Sequence, residues 1–291
     1  MEPYGFCYVA DSEGFVDEAL VSIASLREHM PDARVTLITH QHLFRPDHSV
    51  TDWVELGPST RNGPIIKAEA WRAPYQRVLF LDTDTLILDD LSDVFPLLDR
   101  FDFACTPEPN ARTDLGLDRG VPLSFPELNN AFFAFRKTPA VRSFFERWLK
   151  EWDRLHEERG ITTNQPAFRN ALWQSEAVRP LTLGNEYNLI VHANCSVAGP
   201  VKVLHDRSPD RKALARRVNR HIGPRAIIAG FGPVFGYFTR RGWIRQYARL
   251  TWHFLRVLLR PGRVTLQGYP RIWWRDGIDY LPSTTQEREK A

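Results

Sequence analysis

Two aspartates stand between two apolar runs in the segment RVLFLDTDTLILDD, residues 77–90. The runs cover residues 78–81 and 86–88, so Asp82 and Asp84 lie where a buried strand is predicted to end. Side chains two residues apart on an extended chain point the same way, so both carboxylates can converge on one point. Two close carboxylates repel each other unless a cation neutralises them, and Mg²⁺ and Mn²⁺ suit oxygen ligands. Taken alone, the pair is equally consistent with acids that cap the next helix or face solvent.

The surrounding elements predict an α/β fold built on a mainly parallel sheet. A strand over 4–10, an amphipathic helix after Asp11 and Ser12, and a second strand over 34–40 form a strand–helix–strand unit, which is typical of parallel pairing in a doubly wound sheet. Further strands are predicted at 52–56, 102–106, 129–136 and 201–206, and helices at 67–75, 139–155 and 165–173. Ligands of such open sheets bind beyond the carboxyl ends of the strands, which is where Asp82 and Asp84 are predicted to lie.

The bulk composition is that of a globular protein, with 43% hydrophobic and 25% charged residues in a chain of 291, enough for one large domain with an extension. Its three cysteines, Cys7, Cys105 and Cys195, have no metal-type spacing and predict a reduced, cytoplasmic setting. The N-terminal segment lacks the features of a signal peptide, and no apolar run reaches the length of a membrane span. We therefore expect a cytoplasmic protein.

Six segments resemble, in order, the motifs of the family 8 glycosyltransferases, and within them the glycogenin-like branch. Between residues 6 and 212 these are VADSEGFVDEALVSIASLRE, KAEAWRAPYQRVLFLDTDTLILDDLSDVF, NNAFFAFR, NQPAFRNAL, NEYNLI and VKVLHD. The resemblance implies a GT-A fold over residues 1–212, with a Rossmann-like, mixed and mainly parallel sheet flanked by helices. It also implies retaining transfer of a hexosyl group from a nucleotide-sugar donor, a UDP-sugar, to a saccharide or lipid-linked glycan acceptor, as in polysaccharide biosynthesis.

The same resemblance assigns roles to individual residues. Asp82, Asp84 and His205 would hold Mn²⁺, or Mg²⁺, against the diphosphate of the donor. A divalent ion there stabilises the negative charge that grows on the leaving diphosphate. Other residues implied to contact the donor are Ala10, Asp11, Lys67, Thr83 and Lys212. The catalytic positions implied beside the donor sugar are Asn130, Asn164 and Gln165.

The sequence departs from the family pattern in two places. Asn164 replaces the aspartate that the family usually has before Gln165, and an amide is a poor nucleophile without charge. We therefore do not expect a double displacement through position 164, whereas front-face attack with the leaving phosphate as base would still retain configuration. After His205, the family's Gly and Lys-Pro-Trp become Ser208, Lys212 and Ala213, so either Arg211 or Lys212 is left to neutralise the diphosphate.

Each assigned residue also has a plain structural explanation. His205 alone is better explained as a strand-end histidine bonded to a carbonyl, and Lys67 as a solvated helix residue. Asn130 and Asn188 can be turn or cap residues, and Gln165 can face solvent at a helix start. The functional interpretation depends on the order of the six segments rather than on any one residue.

A basic extension is predicted over 213–291, mostly helical and rich in aromatic residues. From Arg211 to Arg275 the chain has fifteen basic residues and no acidic one, whereas the rest is mildly acidic. Over 240–260, one arc of the predicted helix carries Arg245, Arg249, Arg256 and Arg260, and the opposite side carries Trp243, Tyr247, Leu250, Phe254, Val257 and Leu258. Such a helix suits an anionic membrane surface, here the inner face of the membrane, with 226–238 inserting shallowly. Packing of the helix on the acidic body is the alternative, and no nucleic-acid partner is expected.

Two rival functions stay open on the sequence. The pattern hhhhDxDxx also resembles the haloacid dehalogenase-type phosphatases, in which Asp82 would be the phosphoryl-accepting nucleophile. That motif normally lies near the N-terminus with Thr or Val where this chain has Leu86, and no downstream acid cluster is evident. Alternatively, Asn164 and the altered segment after His205 would mark a protein that binds nucleotide sugar without turning it over.

Overall fold

The computed structural model describes residues 4–57, 63–109, 120–122, 124–191, 193–207, 211–220, 222–228 and 232–235, with isolated residues at 248, 251, 252 and 255. The residues up to Gly236 form one compact unit, and those from Tyr237 form a second. Most of the predicted basic helix over 240–260 and most of the segment 107–127 lie outside the described residues. The predicted domain boundary after residue 212 therefore stays a prediction.

The described part of the first unit alternates strands and helices, as the sequence predicts. In chain order its strands are β1 (Tyr4–Val9), β2 (Val35–Thr39), β3 (Asp52–Glu55), β4 (Arg77–Leu81), β5 (Thr85–Ile87), β6 (Phe103–Pro107), β7 (Leu128–Arg136), β8 (Pro180–Thr182), β9 (Leu189–Ile190), β10 (Cys195–Val197), β11 (Val203–His205), β12 (Arg225–Ile228) and β13 (Gly232–Phe235). Its α-helices are α1 (Glu13–His29), α2 (Pro139–Arg159), α3 (Gln165–Trp173) and α4 (Arg211–Val218). Among the described residues, no helix is both long and apolar enough to cross a membrane.

The central sheet has the strand order β3-β2-β1-β4-β7-β6-β8 within the described residues. The pairs β2–β3, β1–β2, β1–β4 and β6–β8 are parallel, whereas β7 runs antiparallel to both β4 and β6. Parallel neighbours end at the same edge, so the ends of β1 and β4 meet there. The predicted mixed, mainly parallel sheet flanked by helices is confirmed.

Both faces of the sheet are buried, which explains why the sequences of β4 and β7 are nearly continuous apolar runs. On one face, α2 and α3 cover an aromatic cluster in which Phe133 contacts the rings of Phe80, Phe103, Trp148 and Phe168. On the other face, α1 buries an apolar stripe with helical spacing, formed by Val16, Ala19, Ile23 and Leu26. These two layers hold the carboxyl edge of β1 and β4 in place.

Two local predictions are wrong. The predicted helix over 67–75 is a 3₁₀ segment, Pro64–Arg72, which follows Gly63 in a left-handed conformation (φ 80°) and ends before Pro74. No strand is predicted beyond 201–206, yet β12 and β13 follow and form an antiparallel sheet with β10. Part of the segment 226–238, predicted to insert into a membrane, therefore pairs within the protein, and Ile227 is buried there.

Candidate functional site

Strand pairing brings the two aspartates next to a distant histidine. Asp82 to Asp84 form the turn between β4 and β5, and β5 pairs antiparallel with β11 so that Thr85 lies opposite His205. The backbone N–H of Asp206 also donates to the carbonyl of Asp84 at 3.2 Å. The side chains of Asp84 and His205 therefore meet at the carboxyl edge of the sheet.

A network of buried hydroxyl groups fixes this turn against α1. The Oγ of Ser22 lies 2.7 Å from the Oγ1 of Thr85 and 3.0 Å from the hydroxyl of Tyr8. Thr85 Oγ1 lies 2.8 Å from the carbonyl of Asp82, and the N–H of Ile87 donates to Ser25 Oγ at 2.9 Å. Buried polar groups without partners are costly, so this satisfied network favours one position of the turn.

The side chains of Asp82, Asp84 and His205 form a compact group of three possible metal ligands. One ligand atom from each lies within 4.8 Å of the others. Their side chains are largely buried, with 19%, 12% and 15% exposed. His205 Nε2 lies 3.0 Å from Asp84 Oδ1, and Lys67 Nζ lies 2.5 Å from Asp82 Oδ2. Although buried, Asp84 Oδ1 receives no well-aligned hydrogen bond among the described residues, so one of its lone pairs is left for another partner.

Burial and charge act in opposite directions on the acids of this group. Burial raises the pKa of Asp82, and the neighbouring Asp84 adds to this effect although Lys67 opposes it. Burial would also raise the pKa of Asp84, but His205 and Arg207 outweigh it and hold that pKa below its usual range. Burial lowers the pKa of His205, but the close contact with the carboxylate of Asp84 outweighs it and raises that pKa. Without another cation, Asp84 therefore favours the protonated form of His205.

A hydrogen-bond chain determines which nitrogen of His205 faces the carboxylates. The backbone N–H of Ala131 donates to Asn129 Oδ1 at 2.8 Å, and Asn188 Nδ2 donates to the same oxygen at 3.0 Å. The other amide atom of Asn188, Oδ1, then lies 3.1 Å from His205 Nδ1. This oxygen can only accept, so Nδ1 carries a proton and Nε2 points toward Asp84.

This arrangement fits a divalent ion of the Mg²⁺ or Mn²⁺ type. The donor set is two carboxylates and an imidazole whose other nitrogen is bonded to an amide oxygen, which is the usual outer partner of a metal-binding histidine. A mixed oxygen and nitrogen set favours Mn²⁺ over Mg²⁺, because Mg²⁺ prefers oxygen alone.

The structure also shows the local contacts of other residues predicted to bind the donor. Ala10 and Asp11 follow β1, and the N–H of Ala10 is bonded to the carbonyl of Ile38 at 2.9 Å. Thr83 Oγ1 donates to Glu18 Oε2 at 2.5 Å. Lys212 is exposed on α4, and among the described residues Arg207 is the arginine that contacts Asp84.

An irregularity in β7 brings the predicted Asn130 beside the DTD turn. The pairing of β6 with β7 shifts register between Cys105 and Thr106, and the N–H of Asp82 donates to the carbonyl of Ala131 at 2.9 Å. Bulges of this kind occur often beside active sites, where they re-aim a side chain. Asn130 is 1% exposed, and its Nδ2 has no hydrogen-bond partner among the described residues.

The side chain of Asn164 makes a structural hydrogen bond. That side chain is buried, and Nδ2 donates to the carbonyl of Pro64 at 2.7 Å. Pro64 begins the 3₁₀ segment that carries Lys67, so Asn164 ties the start of α3 to that segment. Gln165 is the first residue of α3 and is half-buried. The predicted catalytic role of these two residues stays a prediction.

The sequence interpretation missed two residues that complete the group. Arg207 Nε lies 3.1 Å from Asp84 Oδ2 and 3.2 Å from Glu18 Oε1. Arg207 follows His205 by two residues at a strand end, which is the spacing that puts two side chains on one side. Glu18 has no sequence signal of its own, because its place depends on how α1 packs against β5.

No protein-family profile matches the sequence, and no curated protein matches it. Solved structures do match. The galactosyltransferase LgtC, in complex with donor and acceptor sugar analogues, has a TM-score of 0.51 and 13% identity over 70% of this chain and 87% of that chain. The glycosyltransferase GlyE of Streptococcus pneumoniae TIGR4 has a TM-score of 0.50 and 16% identity over 71% of this chain and 56% of that chain. Identities this low establish the fold alone, and the chain therefore has the GT-A fold of glycosyltransferases.

Proposed function

We propose that this chain is a metal-dependent glycosyltransferase that moves a sugar from a UDP-sugar to a saccharide or lipid-linked acceptor. One observation carries the proposal: Asp82, Asp84 and His205 converge at the carboxyl edge of the sheet in a GT-A fold. This edge is where open α/β sheets bind their ligands. The similar structure of LgtC was solved with donor and acceptor sugar analogues, which supports the same two classes of ligand here.

The three side chains would hold Mn²⁺, or Mg²⁺, beside the diphosphate of the donor. When bound, the ion supplies Lewis-acid stabilisation of the charge that develops on the leaving diphosphate. The protein itself prepares the ligands, since Asn188 directs His205 Nε2 toward the site and the hydroxyl network fixes the turn. Lys67 neutralises Asp82 and is itself only 16% exposed, so its ammonium group is held beside the place proposed for the phosphates.

The sugar would lie beside Asn130 and the 3₁₀ segment. The buried Nδ2 of Asn130 can donate to a sugar hydroxyl, a role supported by its position next to Asp82. Asn164 carries an amide, which is a poor nucleophile, and its Nδ2 is bonded to the carbonyl of Pro64. We therefore favour front-face attack, in which the acceptor oxygen bonds to the anomeric carbon as the bond to the diphosphate breaks. The acceptor proton passes to the leaving phosphate oxygen, and configuration is retained.

Acceptor contacts are proposed for the segment 107–127 and the basic extension, on the sequence pattern alone. The extension would bring the enzyme to an anionic membrane surface from the cytoplasmic side, where a lipid-linked acceptor would lie. Sedimentation with vesicles that contain anionic lipid tests this part separately. Loss of binding in a chain that ends at Gly236 would support the extension as the membrane contact, and no binding by the full chain would contradict it.

The main test is release of UDP from a panel of UDP-sugars, with Mn²⁺ or with EDTA. We expect turnover only with metal. The substitution Asp84→Asn should lower the turnover rate about 100-fold or more, because it removes a charged ligand of the ion that stabilises the leaving group. The matched control is Asp89→Asn in the same segment, which should keep near wild-type turnover. Release of inorganic phosphate from phosphomonoesters instead would support the phosphatase alternative. Metal-dependent UDP-sugar binding without turnover on any acceptor would support the non-catalytic alternative.

A further inference from the structure

Arg207 is held beside the metal-type group by a specific set of contacts. Its Nε lies 3.1 Å from Asp84 Oδ2 and 3.2 Å from Glu18 Oε1, and its guanidinium carbon lies 5.4 Å from the ring centre of Phe15. Glu18 is bonded in turn to Thr83 of the DTD turn. The side chain of Arg207 is nevertheless 60% exposed, so much of its planar group is open to an incoming ligand.

The charges around Asp84 indicate when the contact between Arg207 and Asp84 would change. Asp82 is paired with Lys67, and Asp84 is paired with both His205 and Arg207. A divalent ion bound between the carboxylates would repel the guanidinium that already contacts Asp84. The diphosphate of the donor carries the negative charge that would replace Asp84 as a partner. A guanidinium fits two phosphate oxygens at once, which a lysine cannot do.

We propose that Arg207 clamps the diphosphate of the donor. In the absence of donor it pairs with Asp84 and Glu18, and it turns to the phosphate oxygens when metal and donor bind. Glu18 and Phe15 keep the guanidinium within reach in both states. This inference rests on the proposed function, and it assigns to Arg207 the role that the sequence resemblance implied for Lys212.

The contacts of Arg207 support this assignment. Among the described residues, Arg207 contacts the proposed metal ligand Asp84, and no ion pair joins Lys212 to the group of Asp82, Asp84 and His205. Metal binding would also favour donor binding. If the metal breaks the contact between Arg207 and Asp84, the guanidinium becomes available to bind the diphosphate. Binding of UDP should therefore require Arg207, whereas binding of Mn²⁺ alone should not require it.

The test measures UDP binding by calorimetry at saturating Mn²⁺, and Mn²⁺ binding without nucleotide by the paramagnetic signal of the free ion. In Arg207→Ala we expect UDP affinity to fall roughly 10- to 100-fold, the effect of losing charged hydrogen bonds to phosphate. Mn²⁺ affinity without UDP should be unchanged or higher. Arg207→Lys should retain part of the UDP affinity, and Lys212→Ala, which tests the alternative assignment, should lose much less UDP affinity than Arg207→Ala. The matched control is Arg216→Ala, an exposed cation on α4, which should bind UDP as the wild type does. Because Arg207 is exposed, each variant should fold, which its melting temperature checks.

The outcomes separate this inference from the proposed function. Normal UDP affinity in Arg207→Ala would overturn the clamp while leaving the proposed function intact. An equal loss of Mn²⁺ and UDP affinity would overturn it as well, since Arg207 would then only maintain the metal site. Loss of UDP affinity in Lys212→Ala but not in Arg207→Ala would return the role to Lys212. No Mn²⁺-dependent binding of UDP by the wild type would contradict the proposed function itself, and the clamp with it.

Discussion

Replacement of Asn164 by aspartate restores the residue that the family resemblance implies, yet we predict that it destabilises the protein and does not activate it. Asn164 is 2% exposed, and its Nδ2 donates to the carbonyl of Pro64 at 2.7 Å. A carboxylate has no proton to donate, so two acceptor atoms would face each other at this distance. A lost buried hydrogen bond costs about 1–3 kcal/mol, and burial of the charge adds to that until the group takes up a proton. We expect the free energy of unfolding to fall by about 2–4 kcal/mol at neutral pH.

The loss should depend on pH in a definite direction. A protonated carboxyl can donate to Pro64, so folding favours the protonated form and raises the pKa of the new side chain above its unfolded value. Below about pH 4 the group is protonated in both the folded and the unfolded chain, so the difference from the wild type should be smallest there. As the pH rises above about 4, the stability difference from the wild type should grow, and it should level off once the pH exceeds the folded pKa.

Urea unfolding of Asn164→Asp and the wild type at pH 4 and pH 7.5 measures both effects. The matched control is Asn185→Asp, because Asn185 Nδ2 also donates to a backbone carbonyl, that of Ser196 at 3.0 Å, but at an exposed site. We expect the control to lose less than about 1 kcal/mol. Wild-type stability in Asn164→Asp, or a transfer rate well above that of the wild type, would refute the structural role of Asn164.

Three further predictions concern the site and the sheet. Asn188→Ala should weaken Mn²⁺ binding about 10- to 100-fold, since His205 loses the acceptor that fixes its ring, and unchanged affinity in a metal titration would contradict that role. The hydrogen bond from Arg179, with that from Arg136, holds the pKa of Asp102 below its usual range, so Asp102→Asn should cost about 2 kcal/mol at pH 7. Because the folded pKa is the lower one, this contribution is present above about pH 4 and should be lost as the pH falls through the folded pKa; a deficit that does not change with pH would count against the ion pairs. Phe133→Ala should lower the free energy of unfolding by about 3–5 kcal/mol, since it opens a cavity among the rings that α2 and α3 cover, and a loss below 1 kcal/mol would mean that the cluster repacks.

Local sequence patterns predicted the main elements of the fold well. The helix over 165–173 has the bounds of α3, and the strand–helix–strand unit at the start is β1, α1 and β2. These elements carry their own apolar periodicity, so they can be predicted without knowing their neighbours. The parallel pairing of β1 with β2 then follows from the helix α1 that connects them, whereas the pairing of β4 with β1 does not follow from chain order.

Elements that depend on distant partners could not be predicted in the same way. β12 is stabilised by pairing with β10, and a short apolar segment beside glycines has no periodicity that reveals such a partner. The 3₁₀ segment Pro64–Arg72 is held in part by Asn164, which lies far along the chain. Its sequence alone resembles an ordinary helix.

The site shows the same division. The sequence resemblance named Asp82, Asp84 and His205, and the structure brings them together through the pairing of β5 with β11. The contacts of Arg207 with Asp84 and Glu18 depend on tertiary packing, for which the family motifs gave no guide. The contact of Asn164 with Pro64 likewise appears only once α3 and the 3₁₀ segment are packed.

Crystals grown with UDP and Mn²⁺ test the central claim most directly, through the anomalous scattering of the metal. The account predicts one Mn²⁺ peak at coordination distance, about 2.1 Å, from carboxylate oxygens of Asp82 and Asp84 and from His205 Nε2, with the diphosphate completing the shell. A peak that lies away from these three side chains, or UDP bound there without any metal peak, would contradict it.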